Sequence, residues 1–235
     1  MNVVASWSGG KDSCFAYYKA MKAGLNVVSL VTFMESERLS NFHGIRADLL
    51  DAQAKAIGLP LAKCVTTPET YEKQFKEALL RFKAIGVLGL VTGDIYEVAG
   101  HEVRWLERVC KEIDFVPVRP LWQSDTKQIL KDYVAAGFKS TIVRTKLSML
   151  SEEWLGRQLD EKFLVDILRV PNVDPCGEGG EYHTIVTDGP IFKDSIHILE
   201  TNKFSENGYS RLDIVKFEVK SKNSLGRVVS HVEET

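Results

Sequence analysis

The apolar residues of this chain follow two alternating rhythms. Short continuous runs rich in β-branched side chains lie at Asn2 to Trp7, Asn26 to Phe33, Leu61 to Val65, Gly86 to Thr92 and Phe115 to Val118. Runs of that length and composition read as buried strands. Between them lie amphipathic stretches at helical period. Ser13 to Ala23 closes at Gly24, and Arg46 to Ile57 carries Leu49, Leu50, Gln53 and Ile57 on one stripe before Gly58-Leu59-Pro60. Pro68 to Ala84 repeats Tyr71, Phe75, Leu79 and Phe82, and a fourth stretch repeats Glu102, Trp105, Leu106, Val109 and Ile113. Strands and helices alternating in this way predict an α/β fold on a parallel sheet of five strands.

After Pro117-Val118-Arg119-Pro120 the rhythm changes. A helix is expected at Thr126 to Ala136, a strand at Ser140 to Arg144 and helical segments across Glu152 to Leu168, followed by a glycine-rich loop and further strands. The pattern predicts a first domain over residues 1–118, a smaller α+β domain over 119–219 and a loosely packed polar tail over 220–235.

Composition narrows the classes. With 235 residues, 44% hydrophobic and 26% charged, the chain can bury a core without disulfides or a structural metal. Thirty basic against thirty-two acidic residues leave no chain-wide footprint for nucleic acid, which argues against that partner. Cys14, Cys64, Cys110 and Cys176 are far apart in sequence, with no CxxC and no zinc spacing, so reduced thiols are expected. The N-terminus has no basic leader, and no apolar run approaches the ~18 residues of a membrane span. A cytoplasmic protein with no membrane partner is the expectation.

The chemistry concentrates at Ser8-Gly9-Gly10-Lys11-Asp12-Ser13, directly after the first strand and before the first helix. Two glycines let the backbone approach an anion, the helix N-terminus points at it and Lys11 adds a positive charge. Ala5 and Asp12 stand where a Walker A loop needs Gly and Ser or Thr, and GxGxxG is absent. Thr92-Gly93-Asp94-Ile95 ends the fourth strand, where open parallel sheets bind ligands. Gly93 and Asp94 either face a nucleotide there or form a turn with Asp94 capping a helix. His43, beyond the second strand, occupies an analogous place and is either a substrate contact or a bystander. Asp174-Pro175-Cys176-Gly177-Glu178-Gly179-Gly180-Glu181-Tyr182-His183-Thr184 sets two carboxylates among three glycines. It is either a hairpin loop or a site where paired carboxylates orient an amine, bind magnesium or act as a base.

The string SGGKDS resembles the pyrophosphate loop of the N-type ATP pyrophosphatases, the superfamily of GMP synthetase, asparagine synthetase and the tRNA thiolases. The resemblance implies an adenine nucleotide alpha hydrolase-like, Rossmann-like sheet of order 3-2-1-4-5 that cleaves ATP between the α and β phosphates. It implies that backbone amides from Gly9 to Ser13 cradle pyrophosphate, that Lys11 neutralises it, and that Ser8 and Ser13 donate hydroxyls. Asp12 either helps to hold Mg²⁺ or complements the helix dipole. The end of the second strand, Val31 to Phe33 with Thr32 at its centre, is implied to contact adenine.

Taken with Thr92-Gly93-Asp94-Ile95, Pro120-Leu121-Trp122, Trp154-Leu155-Gly156-Arg157 and the GEGGEYHT loop before Asp188-Gly189-Pro190, the loop makes residues 1 to 218 resemble the diphthine-ammonia ligase family. Membership would imply that diphthine on elongation factor 2 is adenylated with Mg·ATP and that ammonia displaces AMP. Glu178 and Glu181 would then sit where acceptor and ammonium meet the α-phosphate, with Gly177, Gly179, Gly180, Tyr182, His183 and Thr184 lining the acceptor side. Here the chain departs from the family form, which continues with an aromatic and then Glu-Thr; this chain has His183. Another acceptor, a metabolite carboxylate or a tRNA base, therefore stays open, as does a nucleotide sensor without turnover. Cys176 has no partner cysteine in sequence and reads as structural. Arg104, Arg119 and Arg144 are further candidates for phosphate contact. A homodimer through an apolar patch of the second domain is one assembly the sequence allows.

Overall fold

The computed structural model describes residues 1–37, 45–97 and 104–222. Expectations for His43, for Glu102 and for the tail from residue 223 lie outside the described residues.

The first half alternates as its apolar runs require. It comprises β1 (Asn2–Ser6), α1 (Lys11–Lys22), β2 (Asn26–Met34), α2 (Ala47–Ile57), β3 (Leu61–Val65), α3 (Tyr71–Lys83), β4 (Gly89–Val91), α4 (Trp105–Glu112) and β5 (Val116–Val118). The five strands form one parallel sheet in the order β3-β2-β1-β4-β5. Strand order reverses between β1 and β4, so the crevice at their carboxyl ends is the place for a ligand. The fourth strand is shorter than its apolar run predicts. Residues 86–88 are spent turning out of α3, with the Val87 amide bonded back to the Phe82 carbonyl at 3.1 Å.

Both faces of this sheet are covered, as continuous apolar strands demand. On one face Phe75 and Leu79 of α3 and Trp105 and Val109 of α4 pack on Val4, Val31 and Phe33. On the other, α1 and α2 share a core with the second half, where Phe15 meets Tyr133 at 5.7 Å between ring centroids and Tyr133 stacks on Phe138 at 4.8 Å.

The second half contains α5 (Thr126–Ala135), β6 (Lys139–Lys146), a 3-10 turn (Glu152–Trp154), α6 (Glu161–Ile167), β7 (Tyr182–Asp188), β8 (Asp194–Glu206) and β9 (Tyr209–Ser221). Its four strands form an antiparallel sheet in the order β7-β6-β9-β8. The helical stretch expected across Glu152 to Leu168 is broken, because Gly156 turns out and residues around Gln158 bridge to Thr141. Asp160 then caps α6 by accepting from the Phe163 amide at 2.7 Å. Strand β9 also continues to Ser221, two residues into the expected tail. The ladder with β8 reaches Asp194, and Lys222 Nζ donates to the carbonyls of Gly189 and Phe192.

Candidate active site

The loop after β1 is built by contacts from three parts of the chain. Gly9 is left-handed (φ +79°), and a side-chain carbon there would stand 2.7 Å from both Gln53 Oε1 and Leu50 Cδ2. Only glycine fits that backbone against α2. The Gly9 carbonyl accepts from Gln53 Nε2 at 2.9 Å and from the Val186 amide of β7 at 3.0 Å. Gln53 is fully buried and also accepts from the Trp7 indole N–H at 3.0 Å and donates to the Val186 carbonyl at 2.7 Å. One side chain thus joins β1, its loop and the second sheet. The sequence counted Gln53 only as a member of the α2 stripe; a lone amide in an otherwise apolar stripe was the available signal.

α1 begins at Lys11, and the fold fastens that residue from both ends. Its backbone amide donates to Thr184 Oγ1 at 3.0 Å. Its ammonium donates to Asp12 Oδ2 at 2.7 Å and to the Cys176 carbonyl, and lies 5.4 Å from the centroid of the Tyr182 ring. Only 5% of Lys11 is exposed. Desolvation works against the ammonium, but Asp12 and the other groups around it outweigh that cost and hold its pKa well above the ordinary lysine value. Ser8 and Ser13 hydroxyls meet at 3.1 Å, the Gly10 amide donates to Ser8 Oγ at 3.3 Å, and Ser13 Oγ donates to the Gly10 carbonyl. The amides of Gly10 and Lys11 are therefore already engaged.

The crevice beside this loop is a cavity of about 380 Å³. Its walls are Ser8, Gly10, Lys11, Asp12 and Ser13; Thr32 and Phe33 at the end of β2, with Tyr71; Gly93 and Asp94 beyond β4; and Cys176, Gly177, Glu178, Gly180, Tyr182, His183 and Thr184 of the acidic loop and β7. Gly93 is where β4 approaches the loop. A side-chain carbon there would stand 2.7 Å from the Asp12 carbonyl carbon and the Ser13 amide nitrogen.

Carboxylates crowd the cavity. Burial raises the pKa of Asp94, only partly offset by Thr92 and Arg119, with Glu97 and Asp12 adding to the rise. Glu178 stands at the mouth, and desolvation with the nearby Asp12, Asp174 and Asp94 pushes it up to about 7. Asp12 keeps one buried oxygen, Oδ1, with no hydrogen-bond partner.

The other site expectations are placed differently. Glu181 is 5% exposed and turns under its own loop, where Oε1 accepts from the Asp174 amide at 3.0 Å. It lies off the cavity wall, as do Gly9 and Gly179. Cys176 is buried, its Sγ donating to the Thr126 carbonyl at 3.2 Å, and burial drives its thiol pKa far up. Arg119 pairs with Glu107 and stacks 3.4 Å over the Trp122 ring, Arg104 donates its amide to Glu97, and Arg144 stacks over Tyr209. None of the three lines the cavity.

Comparison with known proteins bears on this arrangement. A model of the diphthamide synthase N-terminal domain matches residues 1–117, and one of the diphthamide synthase C-terminal domain matches residues 125–220. The chain belongs to the diphthamide synthase family. Among relatives, the diphthine–ammonia ligase of Bos taurus is 28% identical over 221 residues, 83% of this chain and 82% of that protein. The Homo sapiens protein of the same name is 27% identical over the same shares. The one from Schizosaccharomyces pombe is 28% identical over 218 residues, 83% of this chain but 36% of a longer protein. The two family matches cover both the phosphate-loop half and the half that supplies the acidic loop, so both walls of the cavity fall within diphthamide synthase sequence. Among the described residues no helix is long and apolar enough to cross a membrane.

Proposed function

We propose that the chain is an AMP-forming amide ligase that uses ATP to adenylate the carboxylate of diphthine on elongation factor 2 and then joins ammonia to it. The observation that carries this reading is Lys11, a buried cation at the head of α1, held between the phosphate loop and the carbonyl of Cys176 in the acidic loop.

In this reading an acceptor carboxylate oxygen attacks the α-phosphorus while the bond to the bridging oxygen of the β-phosphate breaks, so pyrophosphate leaves with the electron pair. Lys11 binds that leaving group, and Ser8 and Ser13 can turn their hydroxyls from each other onto it. The unpartnered Asp12 Oδ1 is a hard oxygen suited to Mg²⁺, which would take its remaining ligands from phosphate oxygens and water and supply further charge neutralisation. Thr32 and Phe33, with Tyr71, form the wall suited to adenine. Glu178, with a pKa near 7, takes a proton from ammonium at the cavity mouth. The resulting ammonia attacks the acyl carbon, its nitrogen gives up one proton to water, and the acyl carbon–oxygen bond breaks with its electron pair going to AMP, leaving the amide. Glu181 orders the loop from beneath.

A second reading keeps adenylation and changes the acceptor. His183 favours it, because the residue lines the cavity where the family form carries a glutamate. Sulfur transfer to a tRNA base is disfavoured by the buried, hydrogen-bonded Cys176 thiol.

Product analysis separates these readings. Purified protein with Mg·ATP and ammonium is expected to form AMP and pyrophosphate only when elongation factor 2 bearing diphthine is present. AMP independent of diphthine would favour the second reading, and ADP or no turnover would overturn the ligase assignment.

A further inference from the structure

The acidic loop stands on the first residue of α5. Thr126 is buried there and meets the loop twice: its hydroxyl donates to Asp174 Oδ2 at 2.9 Å, and its carbonyl accepts from Cys176 Sγ at 3.2 Å. The other oxygen of Asp174 is turned into the loop. Oδ1 accepts from the Cys176 amide at 2.8 Å and from the Glu178 amide at 3.4 Å, while the Asp174 carbonyl accepts from the Gly177 amide at 2.9 Å. A carboxylate that accepts backbone N–H groups just beyond itself fixes the peptides that follow it.

Those peptides carry the groups that the chemistry needs. Cys176 is held at three points, with its amide on Asp174, its thiol on Thr126 and its carbonyl accepting from the Lys11 ammonium. The direction in which Lys11 points therefore depends on a residue whose own N–H is set by Asp174. Two positions on, the Glu178 amide is bonded to the same carboxylate oxygen, and Glu178 lines the cavity. Asp174 itself is not part of the cavity wall, and both of its oxygens are engaged within the loop and with α5. Its carboxylate is placed to orient other groups and not to touch substrate.

We propose that Asp174 is a positioning residue that aligns both halves of the reaction: through Cys176 it aims Lys11 at the leaving pyrophosphate, and through the Glu178 amide it sets the base that takes the ammonium proton. This role rests on the ligase reading given above. The property used is hydrogen-bond acceptance in a fixed place. An amide side chain can supply the same bonds, with its oxygen accepting from the two amides and its NH₂ donating to the Thr126 hydroxyl.

Two readouts on the full chain test the proposal. The first is hydrogen exchange at the Cys176 and Glu178 amides, followed by NMR without any substrate. Exchange there is expected to quicken by about tenfold or more in Asp174→Ala and to stay near the parent rate in Asp174→Asn. The second is diphthine-dependent AMP formation, with each protein taken at its own pH optimum because the Asp174 charge helps to raise the pKa of Glu178. In Asp174→Ala, kcat is expected to fall by about tenfold or more with the KM for diphthine-bearing elongation factor 2 unchanged, and Asp174→Asn is expected to recover most of it. Unaltered exchange or unaltered kcat in Asp174→Ala would overturn the proposal. So would an Asp174→Asn protein as impaired as Asp174→Ala, since the negative charge would then be what matters. If Asp174→Ala does not fold, Thr126→Val decides: it removes only the bond to Oδ2, and exchange and kcat both equal to the parent's would overturn the role. A parent protein that forms no AMP sinks the ligase reading itself, whereas an active parent matched by Asp174→Ala sinks the role of Asp174 alone.

Discussion

The backbone amide of Lys11 donates to the side-chain hydroxyl of Thr184, a residue 173 positions later in the chain. This bond places the head of α1 against β7 and so sets the distance between the phosphate loop and the acidic loop. Thr184→Val keeps the shape and leaves a buried amide without its acceptor. The expected cost is about 1–3 kcal/mol in urea unfolding, together with a raised KM for ATP. An unchanged midpoint and KM would remove Thr184 from the clamp.

Lys11→Ala is expected to leave a folded protein with AMP formation reduced by about 10²-fold or more, as for removal of a preorganised group that meets developing charge. The check is single-turnover product analysis beside a circular dichroism spectrum. Full activity in the variant would sink the phosphate-loop assignment.

Gln53→Leu breaks three connections at once, to Trp7, Gly9 and Val186. It leaves two buried carbonyls and an indole N–H without this partner, at an expected cost of about 2–5 kcal/mol. Denaturant unfolding should show this loss, and Gln53→Glu should not restore stability, because a carboxylate cannot donate to the two carbonyls.

Gly93→Ala introduces a carbon 2.7 Å from the backbone of Asp12 and Ser13. Backbone cannot swing aside as a long side chain can, so the loop itself must move, at about 1–3 kcal/mol. Turnover should fall more steeply than stability, read as kcat beside the melting temperature.

Glu178 has a folded pKa raised from 4.5 to about 7. The stabilisation that goes with its protonation is complete below about pH 4.5 and is lost as pH rises through about 7. The melting temperature of the parent minus that of Glu178→Gln should therefore decline across this window, since the variant cannot ionise. A constant difference would show that the carboxyl is not held in its neutral form.

Legibility in sequence followed the range of the signal. The five strands of the parallel sheet are buried on both faces and announce themselves as apolar runs, and Lys11 stands in a local string whose meaning needs only its neighbours. The β8–β9 hairpin carries no such signal: much of β8 is exposed, so neither face imposes an apolar period, and only unspecified further strands were readable. Gln53 was hidden for another reason. Its partners lie 44 to 133 residues away, and nothing adjacent to it in sequence records them. The same distance explains Glu181, whose charge and glycine neighbours read as substrate chemistry while its carboxylate is turned inward to the Asp174 amide.

The hydrogen bond from the Val186 amide to the Gly9 carbonyl makes the SGGKDS string an unfinished device by itself. A fragment ending after the parallel sheet would keep every letter of that string and lose the anchors at Thr184 and Val186. The two halves therefore cannot be shuffled as independent cassettes. Any graft of this loop onto another scaffold must transplant Gln53 and the start of β7 along with it.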